Sequence, residues 1–206
     1  MPGTSTPAVE RGDTHPSLAL KELLRGIPTD RKISVLDLGS ASSANIAFFS
    51  HCSLYVADLF RTLRERSGLP AQQALPFDRD LNSLLPEGCF DIILCWDLLN
   101  YLSSSQMQIL GQHLASRSRP GCRIFAFIAP HGQIPDLPRR YEVLAADEIR
   151  YVDGPASLRK APGYREPELN QWIAPFSVES SFLLRHGMQE YILVHTATSA
   201  NATATN

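Results

Sequence analysis

Apolar, β-rich runs alternate along this chain with segments of helical periodicity, and this alternation limits the possible folds more than any other feature. The runs are Lys32–Leu38, Ser53–Ala57, Cys89–Trp96 and Arg123–Ala129, and each is predicted to be a strand. The last two are almost continuously apolar, which is typical of strands whose two faces are both covered by helices. Strands that alternate with helices predict a parallel sheet. The chain is therefore predicted to be an α/β domain with a doubly wound, mostly parallel sheet.

The segments between these runs are predicted helices, and they are Leu18–Leu24, Ala44–Phe49, Leu59–Ser67 and Ser103–Ala115. A further strand at Gln73–Leu75 is only weakly indicated. The chain is predicted to close with a helix around Ser177–His186 and with an antiparallel edge strand, Gln189–His195.

Length and composition predict one domain with polar ends. The 206 residues, 44% of them hydrophobic, are enough for one sizeable core. Residues 1–16 lack the apolar run of a secretory signal and are expected to be a disordered leader, and residues 197–206 a disordered tail, so the domain is 17–196. No run reaches the roughly 18 to 20 apolar residues that cross a bilayer, so we expect a cytoplasmic protein without membrane contact.

Charge and cysteine usage exclude several kinds of partner. The formal net charge of -2 gives no overall attraction to a phosphate backbone, so nucleic acid is disfavoured. The four cysteines (Cys52, Cys89, Cys95 and Cys122) are too widely spaced for a zinc or redox motif. They are predicted to be buried, reduced thiols, and no metal site is expected.

The segment 130–175 is rich in proline and loosely patterned. Because an ordered pattern resumes after it, the segment is predicted to cover a site rather than to link domains. Within it, Tyr141–Leu144 and Ile149–Val152 are predicted to pair as short strands.

Acidic residues end two of the predicted strands, where ligands bind in open α/β sheets. Asp37 is followed by Gly39, Ser40 and Ala41, whose small side chains let a ligand approach the backbone. Asp58 lies 19 positions after Gly39 and ends the next strand. A carboxylate there can accept hydrogen bonds from both hydroxyls of a ribose.

At these positions the chain resembles class I S-adenosylmethionine-dependent methyltransferases. In that family a strand ending Asp-x-Gly-x-Gly-x-Gly holds the amino acid part of the cofactor, and an acid at the end of the next strand holds its ribose. Asp37 and Gly39 match the first pattern and Asp58 matches the ribose acid. The resemblance covers roughly Arg31 to Ala129, together with the last helix and strand.

The resemblance implies S-adenosylmethionine as the cofactor and extends the site to further residues. Ser40 and Ala41 would lie beside the cofactor, Leu59 would pack on its adenine, and Asp78 would approach the adenine amino group. Trp96, at the end of a buried strand, is placed in the same site.

Two positions depart from the family pattern, because Ala41 and Ser43 replace its second and third glycines. A nicotinamide-binding domain would share the strand and the later acid, but its Gly-x-Gly-x-x-Gly loop packs backbone amides against a pyrophosphate, and only Gly39 is present. The sulfonium cofactor has no pyrophosphate, so the methyltransferase interpretation is favoured over the nicotinamide one.

A polar cluster follows Trp96. Asp97, Asn100 and Tyr101 are predicted around a methyl acceptor, with His131 as a possible base. In the structural alternative Trp96 and Leu99 belong to the core, Asp97 caps the next segment and His131 is a surface or capping residue. Methyl transfer needs alignment of the acceptor and exclusion of water more than a catalytic acid and base, so no catalytic residue is assigned.

Two functions remain open from the sequence. The first is a methyltransferase with an unidentified small-molecule or protein acceptor. The second is a catalytically inactive relative that uses the same fold as an interaction or regulatory module for a protein partner, because fold does not fix function.

Overall fold

The central sheet has six strands in the order β10-β11-β5-β4-β2-β3. A computed structural model describes residues 12–27, 30–67, 77–152, 157–185 and 187–196. The strands of this sheet are β2 (Ser34–Asp37), β3 (Ser53–Val56), β4 (Phe90–Trp96), β5 (Ser118–Ile128), β10 (Phe176–Leu183) and β11 (Gln189–His195). The first four are parallel, and β11 and β10 add in antiparallel fashion. The predicted doubly wound, mostly parallel α/β fold is confirmed.

Within the described residues, six α-helices accompany the sheet: α1 (Leu18–Arg25), α2 (Ser43–Phe48), α3 (Leu59–Ser67), α4 (Phe77–Leu84), α5 (Ser104–Ala115) and α6 (Glu166–Trp172). The first three and α5 confirm the helices expected from periodicity. A 3-10 helix, Leu98–Tyr101, follows β4. The weak strand at Gln73–Leu75 lies outside the described residues.

Strand order and register create a crevice. Asp37 pairs with Val56 on one side and with Leu94 on the other, so the carboxyl ends of β2, β3 and β4 lie side by side. The chain runs from β2 outward to β3 and then returns past β2 to β4. Ligands bind in such sheets at the point where the order reverses, which here lies beyond β2 and β4.

Two expectations about the ends of the domain are wrong. The predicted helix around Ser177–His186 is strand β10, because side chains in this stretch alternate and its backbone pairs with β11; His186 is not described. The C-terminal strand β11 is antiparallel as predicted, but β10 takes the edge position. Within the predicted disordered leader, Gly12–Pro16 form strand β1, because their backbone pairs with residues 148–152. Residues 1–11 and 197–206 lie outside the described part of the chain.

The proline-rich segment is largely ordered. It forms β6 (Gln133–Pro135), β7 (Arg140–Ala145), β8 (Glu148–Val152), β9 (Leu158–Lys160) and α6. The antiparallel pairing of β7 with β8 confirms the expected short strands, and β1 joins them in a three-stranded sheet. A side-chain amide on α2 fixes β7 above the carboxyl ends of the strands: Asn45 Nδ2 donates to the Tyr141 carbonyl (3.2 Å), and the Val143 N–H donates to Asn45 Oδ1 (2.8 Å).

The cysteines are free thiols, and Cys52, Cys95 and Cys122 are buried as predicted. Cys89 is exposed, contrary to the prediction, because it lies in the turn before β4. Among the described residues, no helix has the length and apolar character needed to cross a membrane.

Candidate functional site

Asp37, at the end of β2, is the centre of a buried hydrogen-bond network. Its Oδ1 accepts from Trp96 Nε1 (2.7 Å) and from the Gly39 N–H (2.9 Å), and its Oδ2 accepts from Asn45 Nδ2 (3.1 Å). Burial raises the pKa of this carboxyl, and the three hydrogen bonds oppose that effect. Asp37 therefore joins three parts of the protein itself: the loop after β2, helix α2 and the end of β4.

The Trp96 indole lies directly over the loop after β2. Its backbone has a φ of 51°, a left-handed conformation that is uncommon for a bulky residue. The ring is buried and stacks on Tyr141, with centroids 5.3 Å apart and planes 1° from parallel. A Cβ added to Gly39 would lie 2.7 Å from Trp96 Cδ1. In this structure Gly39 is needed because the indole packs against it, a requirement that the sequence alone had assigned to a ligand.

Ser40 and Asp58 meet at the ends of neighbouring strands. Ser40 Oγ donates to Asp58 Oδ1 (3.2 Å), and the same oxygen accepts the Arg61 N–H (2.8 Å) at the start of α3. Asp58 is half-buried and Ala41 is exposed. The structure thus brings Ser40, Ala41 and Asp58 to one edge of the crevice.

Of the two residues expected at the adenine, Leu59 is buried and Asp78 is exposed. Leu59 is fully buried in the core, so its side chain offers no free surface. Asp78 is exposed in the first turn of α4, and its Oδ1 lies 2.7 Å from His113 Nε2 on α5. Asp78 is therefore engaged with α5, and its contact with adenine stays a prediction.

Asp97 is a buried carboxyl immediately after β4, and it exposes only 3% of its surface. Its Oδ2 accepts the Arg139 N–H (3.3 Å), and Tyr101 Oη lies 3.5 Å away. Its Oδ1 has no well-formed hydrogen bond within the described part of the chain. Burial raises the pKa of Asp97 to about 7, against the opposing effects of Arg139 and the Tyr141 hydroxyl. This carboxyl therefore titrates near neutral pH. It makes no side-chain cap of the 3-10 helix that follows, contrary to the structural alternative.

Asn100 and Tyr101 both form hydrogen bonds with backbone groups. Asn100 Nδ2 donates to the carbonyls of Asp97 (2.9 Å) and Phe127 (2.8 Å), and its Oδ1 accepts the Ala129 N–H (2.9 Å). The amide joins the ends of β4 and β5, so its main contacts are structural. Tyr101 Oη lies 3.1 Å from each of two carbonyls, at residues 135 and 137, and fixes the start of the proline-rich segment.

A cavity of about 130 Å³ lies beside Asp97. Its other lining residues come from β1, the 3-10 helix, β5, the proline-rich segment and the residue before β11. They are His15, Asn100, Phe127, Gln133, Ile134, Pro135, Arg139, Tyr141, Tyr151 and Met188. Sequence reasoning missed His15, Arg139 and Tyr151. No local pattern marks them, because they reach the cavity only through the pairing of β1, β7 and β8. His131 is exposed and lines a neighbouring cleft that shares Gln133, Ile134 and Met188 with this cavity.

Comparisons with known proteins give similarity in fold. No protein-family model matches the chain, and no curated protein sequence matches it. Among solved structures, the chain is similar to 1,6-didemethyltoxoflavin-N1-methyltransferase from Burkholderia thailandensis, with 19% identity, 81% of this chain and 72% of that chain covered and a TM-score of 0.44. It is also similar to magnesium protoporphyrin IX methyltransferase from Synechocystis, solved with bound S-adenosylmethionine. Here the identity is 12%, 86% of this chain and 76% of that chain are covered, and the TM-score is 0.46. A third similar structure is a glycopeptide N-methyltransferase in complex with S-adenosylmethionine. Its identity to this chain is 14%, 93% of this chain and 99% of that chain are covered, and the TM-score is 0.46.

Proposed function

We propose that this chain is an S-adenosylmethionine-dependent methyltransferase. The observation that carries the proposal is the juxtaposition, at the switch point of the sheet, of the Ser40–Asp58 pair with the cavity beside Asp97. One strand-end carboxylate is suited to a ribose, and the cavity two strand ends away is suited to an acceptor.

The residues at the two ends of the cofactor site fit to different degrees. Ser40, Ala41 and Asp58 leave the ribose end polar and accessible, which fits a ribose diol. At the amino acid end, the Trp96 indole takes the space over Gly39 and uses Asp37 Oδ1. The residues at the ribose end therefore fit the cofactor, whereas Asp37 holds the loop after β2 by accepting the Gly39 N–H.

Bound S-adenosylmethionine supplies an electrophilic methyl group. The chain itself would contribute binding and orientation: Asp58 would accept hydrogen bonds from the ribose hydroxyls, and Asp97 would accept a proton from the acceptor group. With its raised pKa, Asp97 can take up that proton near neutral pH. The side chains of Tyr141 on β7 and Tyr151 on β8 line the cavity, where an acceptor can be held in alignment for the displacement.

Calorimetric titration with S-adenosylmethionine and S-adenosylhomocysteine tests the proposal. We expect saturable binding, and we expect Asp58→Asn to weaken it by roughly tenfold to a hundredfold, because a charge-assisted hydrogen bond is lost. Asparagine caps a helix about as well as aspartate, so α3 keeps its start.

Glu87→Gln is the matched control. It makes the same change of charge at a side chain that is 95% exposed and lies before β4, so affinity should not change. No heat of binding at millimolar ligand, with a folded protein, would reject the methyltransferase proposal and support the interaction module instead. Equal weakening by both variants would show a general charge effect and exclude Asp58 from the ribose site.

A further inference from the structure

The cavity beside Asp97 has the size of a single aromatic ring. Its volume is about 130 Å³, and a buried cavity of about 150 Å³ in another protein takes up benzene. The cavity is partly open, so a larger, fused ring system would have to extend through the opening or displace the wall.

Four rings form much of that wall, and they belong to His15, Phe127, Tyr141 and Tyr151. The Phe127 and Tyr141 centroids are 5.0 Å apart with planes 23° from parallel, and the His15 ring lies 5.6 Å from Phe127 at 65°. These rings pack on one another and Tyr141 also stacks on Trp96, so the cavity is lined by aromatic ring atoms, which attract the edge or face of another ring. The wall therefore favours a planar, aromatic ligand over an aliphatic one.

The polar atoms of the wall select for a hydrogen-bond donor. Asp97 Oδ1 and Arg139 Nε are both buried and make no well-formed hydrogen bond among the described residues, although the Tyr141 hydroxyl also interacts with the Asp97 carboxyl. A buried acceptor without a donor costs free energy, and a ligand hydroxyl or ring N–H removes that cost. A hydroxyl oxygen can in addition accept from the Arg139 guanidinium, which lies over the Tyr151 ring at 4.7 Å from its centroid. Asn100 adds no such selection, because backbone groups already engage its amide.

We propose that this cavity binds a molecule with one aromatic ring that carries a hydroxyl or ring N–H group, and that this group donates a hydrogen bond to Asp97 Oδ1. Its role as the site of the methyl acceptor rests on the proposed function, whereas the binding of the ring does not. In the methyltransferase, the donor atom held against Asp97 would be the atom that is methylated.

Phenol and toluene are the probes that test this proposal. They have nearly the same size and shape and differ in one group, a hydroxyl against a methyl. Amide NMR titration of the whole chain measures both dissociation constants and shows which backbone amides shift. We expect phenol to bind at least about tenfold more tightly than toluene. The shifted amides should surround Phe127 and Tyr141.

Two variants separate the role of Asp97 from a general loss of structure. Asp97→Leu replaces the acceptor with an apolar group of similar size and should abolish or reverse the preference for phenol. Asp97→Asn keeps a neutral acceptor and should leave a reduced preference, which protects the test if the leucine variant does not fold.

Three results would overturn the proposal: no saturable binding of either probe at millimolar concentration, equal affinity for both in the wild type, or an unchanged preference in Asp97→Leu. The test contains no S-adenosylmethionine, so its failure is distinct from failure of the proposed function. Phenol binding together with a silent cofactor titration would keep the cavity and reject the methyltransferase.

Discussion

The buried carboxyl of Asp97 predicts a specific dependence of stability on pH. Burial raises the pKa of Asp97 from 3.8 to about 7, because the charged form is disfavoured away from water. Between these two pH values the folded state binds more protons than the unfolded state. The stabilising effect of the protonated carboxyl is therefore complete below the unfolded pKa and is lost as the pH rises towards the folded pKa. The full difference corresponds to about 4 kcal/mol.

Asp97→Asn keeps the shape of the side chain and removes its titration. Between pH 5 and pH 8, we expect the free energy of unfolding of the wild type to fall by about 2 to 3 kcal/mol relative to that of the variant. Urea denaturation of both proteins, followed by circular dichroism across this range, measures the difference. Subtraction of the variant removes the contributions of Asp37 and Glu190, whose pKa values burial also raises.

The reasoning would be refuted by a difference between the two proteins that stays constant with pH. Such a result would show that Asp97 has an ordinary pKa in the folded state, so that water or another donor reaches its Oδ1. An ordinary pKa is then distinguished from a lowered one below about pH 5, where only a lowered pKa, from an attractive interaction with Arg139 that outweighs burial, makes the wild type lose stability relative to the variant as the pH falls.

Three further substitutions test the site. Gly39→Ala should lower the free energy of unfolding by about 1 to 3 kcal/mol, because the new methyl group meets the Trp96 indole; in a double-mutant cycle, Trp96→Leu should remove most of that loss. Asn100→Ala should lower the free energy of unfolding, measured by urea denaturation, by about 3 kcal/mol, because three buried backbone groups lose their hydrogen bonds. A loss under about 1 kcal/mol would show that water replaces the amide. The pair Ala41→Gly and Ser43→Gly should tighten S-adenosylmethionine binding while destabilising the unliganded protein by roughly 0.5 to 1 kcal/mol per site; unchanged affinity in calorimetry would show that neither side chain obstructs the cofactor.

The strands and helices of the central sheet follow from the sequence because their signals are local. A strand covered on both faces is apolar along its whole length, as in Phe90–Trp96, and a helix start such as Ser103 carries its own capping residues. The acids at the strand ends, Asp37 and Asp58, could be found for the same reason. Their positions at one edge of the sheet then follow from the parallel arrangement of the strands.

The hydrogen-bond partners of those residues were decided by the tertiary structure. The bond from Trp96 to Asp37 spans 59 positions, and the bond from Val143 to Asn45 spans 98, so no window of local sequence contains either pair. The same holds for β10, whose residues satisfy their backbone groups by pairing with β11 instead of forming the expected helix.

The cavity beside Asp97 is the clearest product of long-range packing. His15, Arg139 and Tyr151 carry no shared motif and become neighbours because β1 and β7 pair with the two sides of β8. By itself the sequence determined where strands end and which acids stand there. Which of those acids is buried, bonded or left without a partner depends on side chains brought from distant positions, because burial and hydrogen bonding are properties of the packed chain and not of its local pattern.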